Sequence, residues 1–499
     1  MSDTGVKDIP PIGTRLSELA QRAPGLPAIT CDGVTLTRGE LDASSNRLAR
    51  AYQERGVGAG DYVTIALPNS VEWLQAAAAV WKLGGIVQPL SARLPEVEFS
   101  SLLELAPRAL LVGRADPRGV VPSVPAGFSP PETISDAPVP EAVSPSWKAM
   151  PSGGSTGRSK LIEVNQDSRI DPAGASALFT LRENGTQLVT GPLSHNTGLS
   201  MTVVGLLLGQ HIVLMSRFDP EQCLRLIGDH RVEFTATVPT VMRRLLPVYQ
   251  ADPGAYDLSS LEYLWHTAEP CPPAVKQAWI EILGPDAVHE LYSGTELQAI
   301  TAISGSDWLD HRGSVGTVIM GEIKVLDEQG RECPPGTVGE IFMRSGPQAD
   351  PTYRYIGSDA TVRDGWETLG DLGWFDEDGF LYLSDRRVDM FNVGGRKVYP
   401  AEVEVALIEH PEVLSCLVVG IPDHDLGQVP GAIVERVDGS TMDADAVRAH
   451  LKERVEGYKV PRHIEFTTAA LRDEAGKARR SQVRQELLRR LAITTDESV

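Results

Sequence analysis

Cysteine is scarce, and none of it is placed for metal. Cys31, Cys223, Cys271, Cys333 and Cys416 are scattered, odd in number and nowhere paired as CxxC. That spacing argues against structural zinc and fits a reducing compartment. Long apolar runs are missing too. The longest, MTVVGLLLGQHIVLM, is broken by Gln210 and His211 and is too short to span a bilayer. The opening MSDTGVKDIPPIG has no apolar signal core, so the expectation is a cytoplasmic protein with no membrane partner. Positive charge is also short: 46 Lys and Arg against 67 Asp and Glu leave a formal charge of −21, with no basic run. A nucleic-acid binder concentrates positive charge on one face, so that class is set aside. The acidity reads first as solubility, and any anion bound here has to be met by local cations, magnesium or amide groups.

What is present is ample core and a regular alternation. With 499 residues, 42% of them hydrophobic, the chain has material for more than one folded domain. In DYVTIALPNSVEWLQAAAAVWKLGGIVQPL, Tyr62 to Leu67 reads as a strand stopped by Pro68. Asn69 and Glu72 form a capping-box-like pair, Val71 to Leu83 reads as a helix, and Gly84–Gly85 end it before the next strand. The pattern recurs from Gln187 through FTATVP, which predicts α/β architecture with largely parallel sheets. Residues 114–150 are proline-rich and irregular, the kind of long loop that often leads to a functional element. From Glu322 to Leu383 short strands and turns predict a β-rich subdomain, and a further α/β block follows. The expected fold is α/β: a large N-terminal domain (1–386) with mixed, mostly parallel sheets and the β-rich subdomain, then a small mobile α+β C-terminal domain (387–499).

Five stretches concentrate reactive residue types. MPSGGSTGRSKLIEV puts Ser152, Ser155, Thr156 and Lys160 around glycines. It lacks the Walker spacing, since Lys160 follows Ser159 and leads into a strand, so its residues leave open a phosphate-wrapping loop or a plain surface turn. GPLSHNTGL sets His195 and Asn196 after an apolar strand. LYSGTE carries Tyr292, Gly294, Thr295 and Glu296, and LGDLGWFDEDGFLYLSDRRV carries Asp371, Arg386 and Val388. AGKARRS isolates Lys477 beside a glycine. Taken singly, each has an ordinary structural explanation: a hydrogen-bonded His, a helix cap, a turn Asp, a solvated Lys.

Taken together and in this order, they resemble the adenylate-forming superfamily: AMP-forming acyl-CoA synthetases, peptide-synthetase adenylation domains and luciferase-like ligases. The resemblance runs over nearly the whole chain and extends to GGRKVYPAEVE and GYKVPRHIEF in the C-terminal part. It implies an ATP-dependent ligase that joins a small carboxylic acid to AMP, releasing pyrophosphate, and then passes the acyl group to an acceptor. By that resemblance Ser152, Ser155, Thr156 and Lys160 hold the β- and γ-phosphates, Glu296 positions magnesium, and Tyr292 lies against adenine. Thr295 touches the α-phosphate, Asp371 and Arg386 hold the ribose, and Lys477 bridges carboxylate and α-phosphate. His195 lies near the reacting carboxylate, and Asn196, Trp265, His266, Thr267 and Gly294 line the acid pocket. Val388 is the hinge.

Several positions depart from the family's usual pattern: Ser159 for Pro, Thr267 and Ser293 for Gly, Leu369 for Thr, Asp385 for Gly, Gln428 for Glu, and Val388 where Lys or Asp is usual at the hinge. None removes a group assigned to catalysis, but Trp265, His266 and Thr267 point to a modified acid site for an aromatic or heteroaromatic acid. The expected acceptor is the CoA thiol, giving an acid–CoA ligase. A free amine, giving an amide bond synthetase, is the alternative, and a binding protein of the same fold is a third reading.

Overall fold

The strands and helices read from the sequence assemble around a fifteen-stranded sheet drawn from residues 27–386. In this computed structural model residues 9–153, 159–386, 389–472, 478 and 480–491 are described, with the backbone alone at Ser159, Asp385, Arg386 and Ser481. The sheet is mixed. Pro27–Cys31, His211–Leu214, Thr186–Val189, Phe234–Thr237, Tyr263–His266 and Val288–Tyr292 lie side by side and parallel. Beyond Val288–Tyr292 the pairing turns antiparallel through Ile300–Ser304, Ser314–Met320 and Leu381–Arg386. The β-rich stretch from Glu322 to Leu383 forms as expected, and its strands continue this same sheet except Tyr353–Ile356, which pairs elsewhere.

A second, parallel sheet of four strands is built from Tyr62–Ile65, Ile86–Pro89, Leu110–Gly113 and Ser123–Pro125. The helix Val71–Lys82 packs between it and the large sheet. Trp73, Leu74, Val80, Trp81 and the alanines from Ala76 to Ala79 are all buried, as a helix that is apolar on every side requires. Its cap differs from the expected one. Ser70 is the N-cap and accepts from the Trp73 N–H, while Asn69 turns away to bind the segment before His195. The longer Asn side chain can reach that distant backbone; the shorter Ser hydroxyl satisfies the local helix end.

Three antiparallel strands, Ala149–Gly153, Ser159–Val164 and Tyr353–Ile356, form a third sheet beside the cleft. A five-stranded sheet uses only residues from Phe391 to Thr467. It has its own core, centred on Val403, Leu407, Val418, Val434 and Leu451.

Candidate active site

The strand Thr186–Val189 lies between His211–Leu214 and Phe234–Thr237. The chain therefore leaves it toward one neighbour and returns on its other side. In open α/β sheets such a reversal opens a crevice at the carboxyl ends of the strands. A cleft of 3380 Å³ opens there. Thr190, the residue after Val189, and Thr237, the last of its strand, share a hydroxyl contact of 2.9 Å at these strand ends and line the cleft. His195 is the N-cap of the helix Asn196–Leu207, whose first turn lines the cleft and turns its positive end toward it. Asn69 fixes the approach to that helix: its amide donates to the Gly191 and Met215 carbonyls at 3.0 Å and accepts from the Leu193 N–H at 2.8 Å.

Opposite stands the hairpin Ala149–Gly153/Ser159–Val164, in which Ser152 faces Lys160 across the pair. Lys160 Nζ lies 3.5 Å from the centroid of the Tyr355 ring. The Tyr355 hydroxyl donates to Glu296 Oε1 at 2.5 Å, and Thr352 donates to the Glu296 carbonyl. Burial and the Glu296 carboxylate both push the Tyr355 phenol up, so it stays a donor at neutral pH. Gly294 allows this approach: a Cβ there would lie 2.4 Å from Leu369 Cδ1 and 2.7 Å from Glu296 Oε2. Thr295 is half-buried and lines the cleft. Tyr292 donates to Asp371 Oδ2 at 2.8 Å, and Asp371 sits opposite Arg386 in its strand pair. Lys160, Tyr292, Glu296 and Asp371 thus line one cleft. Ser155 and Thr156 lie outside the described residues, as does the Arg386 side chain.

The residues expected at the acid pocket, Asn196, Trp265, His266, Thr267 and Gly294, all line this cleft, but in different surroundings. Trp265 meets Phe179 edge-on at 5.2 Å and stacks on His289 at 4.7 Å. It belongs to an apolar cluster that includes Phe179, Met201, Val204, Ala236 and Leu291. His266 is the next residue of the same strand, so its side chain points to the other face. There it is fully buried, 3.7 Å from Glu290, whose carboxylate pairs with Lys276 at 2.7 Å. Burial first, and then the Lys276 charge, push the His266 pKa well down, while burial raises that of Glu290. The alternation of the strand therefore sets Trp265 in the apolar cluster and His266 beside Glu290, with both lining the cleft. Thr267 donates its N–H to the Thr237 carbonyl at 3.2 Å and lines the cleft with Gly294.

Lys477 and Val388 lie outside the described residues. Arg472 forms an isolated bridge with Ala478, and both residues line the cleft. Arg472 reaches Glu269 of the large sheet's side at 3.7 Å and Glu404 of the five-stranded sheet's side at 3.4 Å. Sequence reasoning passed over Tyr355, Glu290, Lys276 and Arg472. Only Tyr355 carried a local signal, the alternating aromatics of TYRYI in a short strand.

Comparison with known proteins agrees with this geometry. The model of the AMP-binding enzyme family matches residues 16–353, and that of the AMP-binding enzyme C-terminal domain matches residues 402–477. A feruloyl-CoA synthase from an Amycolatopsis species is 31% identical over 93% of this chain and 97% of its own. The o-succinylbenzoate CoA synthetase of Bacillus subtilis, solved with its acyl-adenylate intermediate, is 26% identical. It superposes with a TM-score of 0.81 over 94% of this chain and 97% of its own, and it has also been solved with ATP and a magnesium ion. The amide bond synthetase McbA of Marinactinospora thermotolerans is 26% identical, with a TM-score of 0.78 over 95% and 99% of the two chains.

Proposed function

This chain belongs to the AMP-binding enzyme family, and from that premise we propose that it is an ATP-dependent, AMP-forming carboxylate ligase. One oxygen of the acid attacks the α-phosphorus of ATP. The bond from that phosphorus to the bridging oxygen breaks, and pyrophosphate leaves with the electron pair. The acyl-adenylate then passes its acyl group to an acceptor, releasing AMP. The observation that carries the reading is the meeting of a cation, a carboxylate and a ribose-type acceptor (Lys160, Glu296 and Asp371) with an apolar pocket in one cleft.

Two anions have to meet, so the barrier is mainly electrostatic. Lys160, with Ser152, Ser155 and Thr156, is assigned to the β- and γ-phosphates, Thr295 to the α-phosphate, and Tyr292 to the adenine. Asp371 accepts from the ribose hydroxyls, beside Arg386. Lys477 is assigned to the carboxylate and α-phosphate, His195 to the reacting carboxylate, and Val388 to the hinge of a mobile domain running from 387 to 499. Glu296 is the residue that would hold magnesium, which when bound neutralises phosphate charge. Among the described residues no group of three or more His, Cys, Asp or Glu could hold a metal. Magnesium is usually held by one or two carboxylates together with substrate phosphates and water, and Glu296 is the carboxylate that lines the cleft beside Tyr355 and Lys160.

The apolar cluster around Phe179, Met201 and Trp265 supports an aromatic or heteroaromatic acid. The acceptor is proposed to be the CoA thiol; the likeness to the amide bond synthetase over 95% of the chain favours a free amine as the second reading. Pyrophosphate release is to be measured over a panel of acids, and product mass with ATP, acid and either CoA or an amine. Turnover of long-chain fatty acids with aromatic acids inert would overturn the acid assignment, and an amide without thioester would replace the acceptor. Lys477→Ala is expected to slow adenylation by about 100- to 10,000-fold, with much less effect on transfer from supplied acyl-adenylate. Equal loss in both halves would make Lys477 structural.

A further inference from the structure

Lys148 is the most unusual charge in the molecule. Its side chain is fully buried next to the acid side of the cleft, and among the described residues no carboxylate pairs with it. Its backbone is pinned: the carbonyl accepts from the Val164 N–H and from the Ser146 hydroxyl. The ammonium donates to Asn196 Oδ1 and, at 2.7 Å, to Ser200 Oγ, and it lies 4.3 Å from the Trp147 ring centroid. A methionine of similar length would fill the space without the cost of burying a charge. The lysine therefore needs an explanation beyond packing.

Its partners supply one. A lysine ammonium has three donors and no acceptor, so the amide of Asn196 must turn its oxygen inward. The Ser200 hydroxyl donates to that same oxygen at 3.2 Å. Burial pulls the Lys148 pKa down to about 7, but a neutral amine still carries two N–H groups for the same two acceptors. In either state the Asn196 NH₂ is left on the cleft side. Asn196 and Ser200 both line the cleft, half-buried, one turn apart on the helix that His195 caps.

We propose that Lys148 is a positioning residue for specificity: it locks Asn196 with its N–H donors facing the cleft, so the site selects acids whose acyl part carries a hydrogen-bond acceptor. A ring nitrogen or a ketone meets the donor; an isosteric C–H or alkene leaves it unsatisfied on closure. The inference rests on the ligase reading above.

Matched acids test it: pyridine-carboxylates against benzoate, and ortho-, meta- and para-acetylbenzoate against the corresponding isopropenylbenzoates. The readout is kcat/KM for pyrophosphate release. The wild-type protein is expected to prefer the acceptor-bearing member of at least one pair by about tenfold or more. Asn196→Asp keeps the shape but offers only acceptors, and it should bring that ratio below about threefold. Lys148→Met should lower the ratio likewise without lowering Tm, which a purely structural role would not do; if it fails to fold, Asn196→Asp decides alone. No preference in the wild-type protein, or the same ratio in the variants, overturns the inference and leaves the ligase reading standing. Absence of pyrophosphate release with every acid overturns both.

Discussion

Gly294 leaves no room for a side chain, and what it would strike matters more than how tightly it is packed. A methyl group there meets the ends of Leu369 and Glu296; both can move, so the fold survives while the carboxylate is displaced. Gly294→Ala is expected to keep Tm within about 2 °C and to lower kcat/KM for pyrophosphate release by about 10- to 100-fold. An unchanged rate would remove Glu296 from the phosphate side. Asp371→Ala deletes the acceptor assigned to the ribose and should raise KM for ATP by about 1.5–3 kcal/mol, with KM for the acid nearly constant. An unchanged ATP KM in a folded variant excludes that role. That Lys160, Tyr292, Glu296 and Asp371 share one cleft was legible in the sequence, because these residues sit in short motifs with fixed order. Lys148 was not: in SWKAM nothing marks it, and its meaning comes from a helix some fifty positions further along, brought over it only by the fold.

Alternation within a strand decides what each side chain meets, and motif reading does not weigh it. Trp265 and His266 both line the cleft, yet successive side chains of a strand face opposite sides of the sheet, so Trp265 meets Phe179 and His289 while His266 meets Glu290. Behind His266, the strand Val288–Tyr292 and the helix Pro273–Leu283 are held together by Glu290 and Lys276, a pair buried in apolar surroundings. Lys276→Met should cost about 3–5 kcal/mol, because it leaves an uncompensated buried carboxyl, and adding Glu290→Gln should restore most of it. Urea unfolding measures both. The sign with pH follows from burial, which already holds the Glu290 pKa above its ordinary value. Without Lys276 it rises further, so the folded variant keeps a proton that the unfolded chain releases. Its stability therefore falls as pH rises from about 4.3 toward the folded pKa; stability that increased over that range would contradict the assignment. Helices and strands themselves were legible, since periodicity and breakers such as Pro68 and Gly84 are local. The cap at Ser70 was missed because Asn69, the stronger local candidate, is claimed by a distant loop.

At the scale of the molecule, Arg472 spans the cleft, contacting Glu269 on one side and Glu404 on the other. Both carboxylate side chains are largely buried, so salt screens this contact weakly. Glu269→Gln and Arg472→Gln, made singly and together, are expected to be non-additive in adenylation kcat/KM by about 1–3 kcal/mol; additive losses would mean that the two sides do not communicate through this pair. The order of strands has a separate consequence for how the chain is made. Pro27–Cys31 waits for His211–Leu214 before it has its parallel neighbour, and the strand bearing Lys160 waits for Tyr353–Ile356. At about 5–20 residues per second, each delay on the ribosome lasts on the order of 10 s or more. Through that interval the nascent Ser159–Val164 strand, paired on one side with Ala149–Gly153, offers an open hydrogen-bonding edge on the other, a template for pairing with another chain before its own partner has been translated.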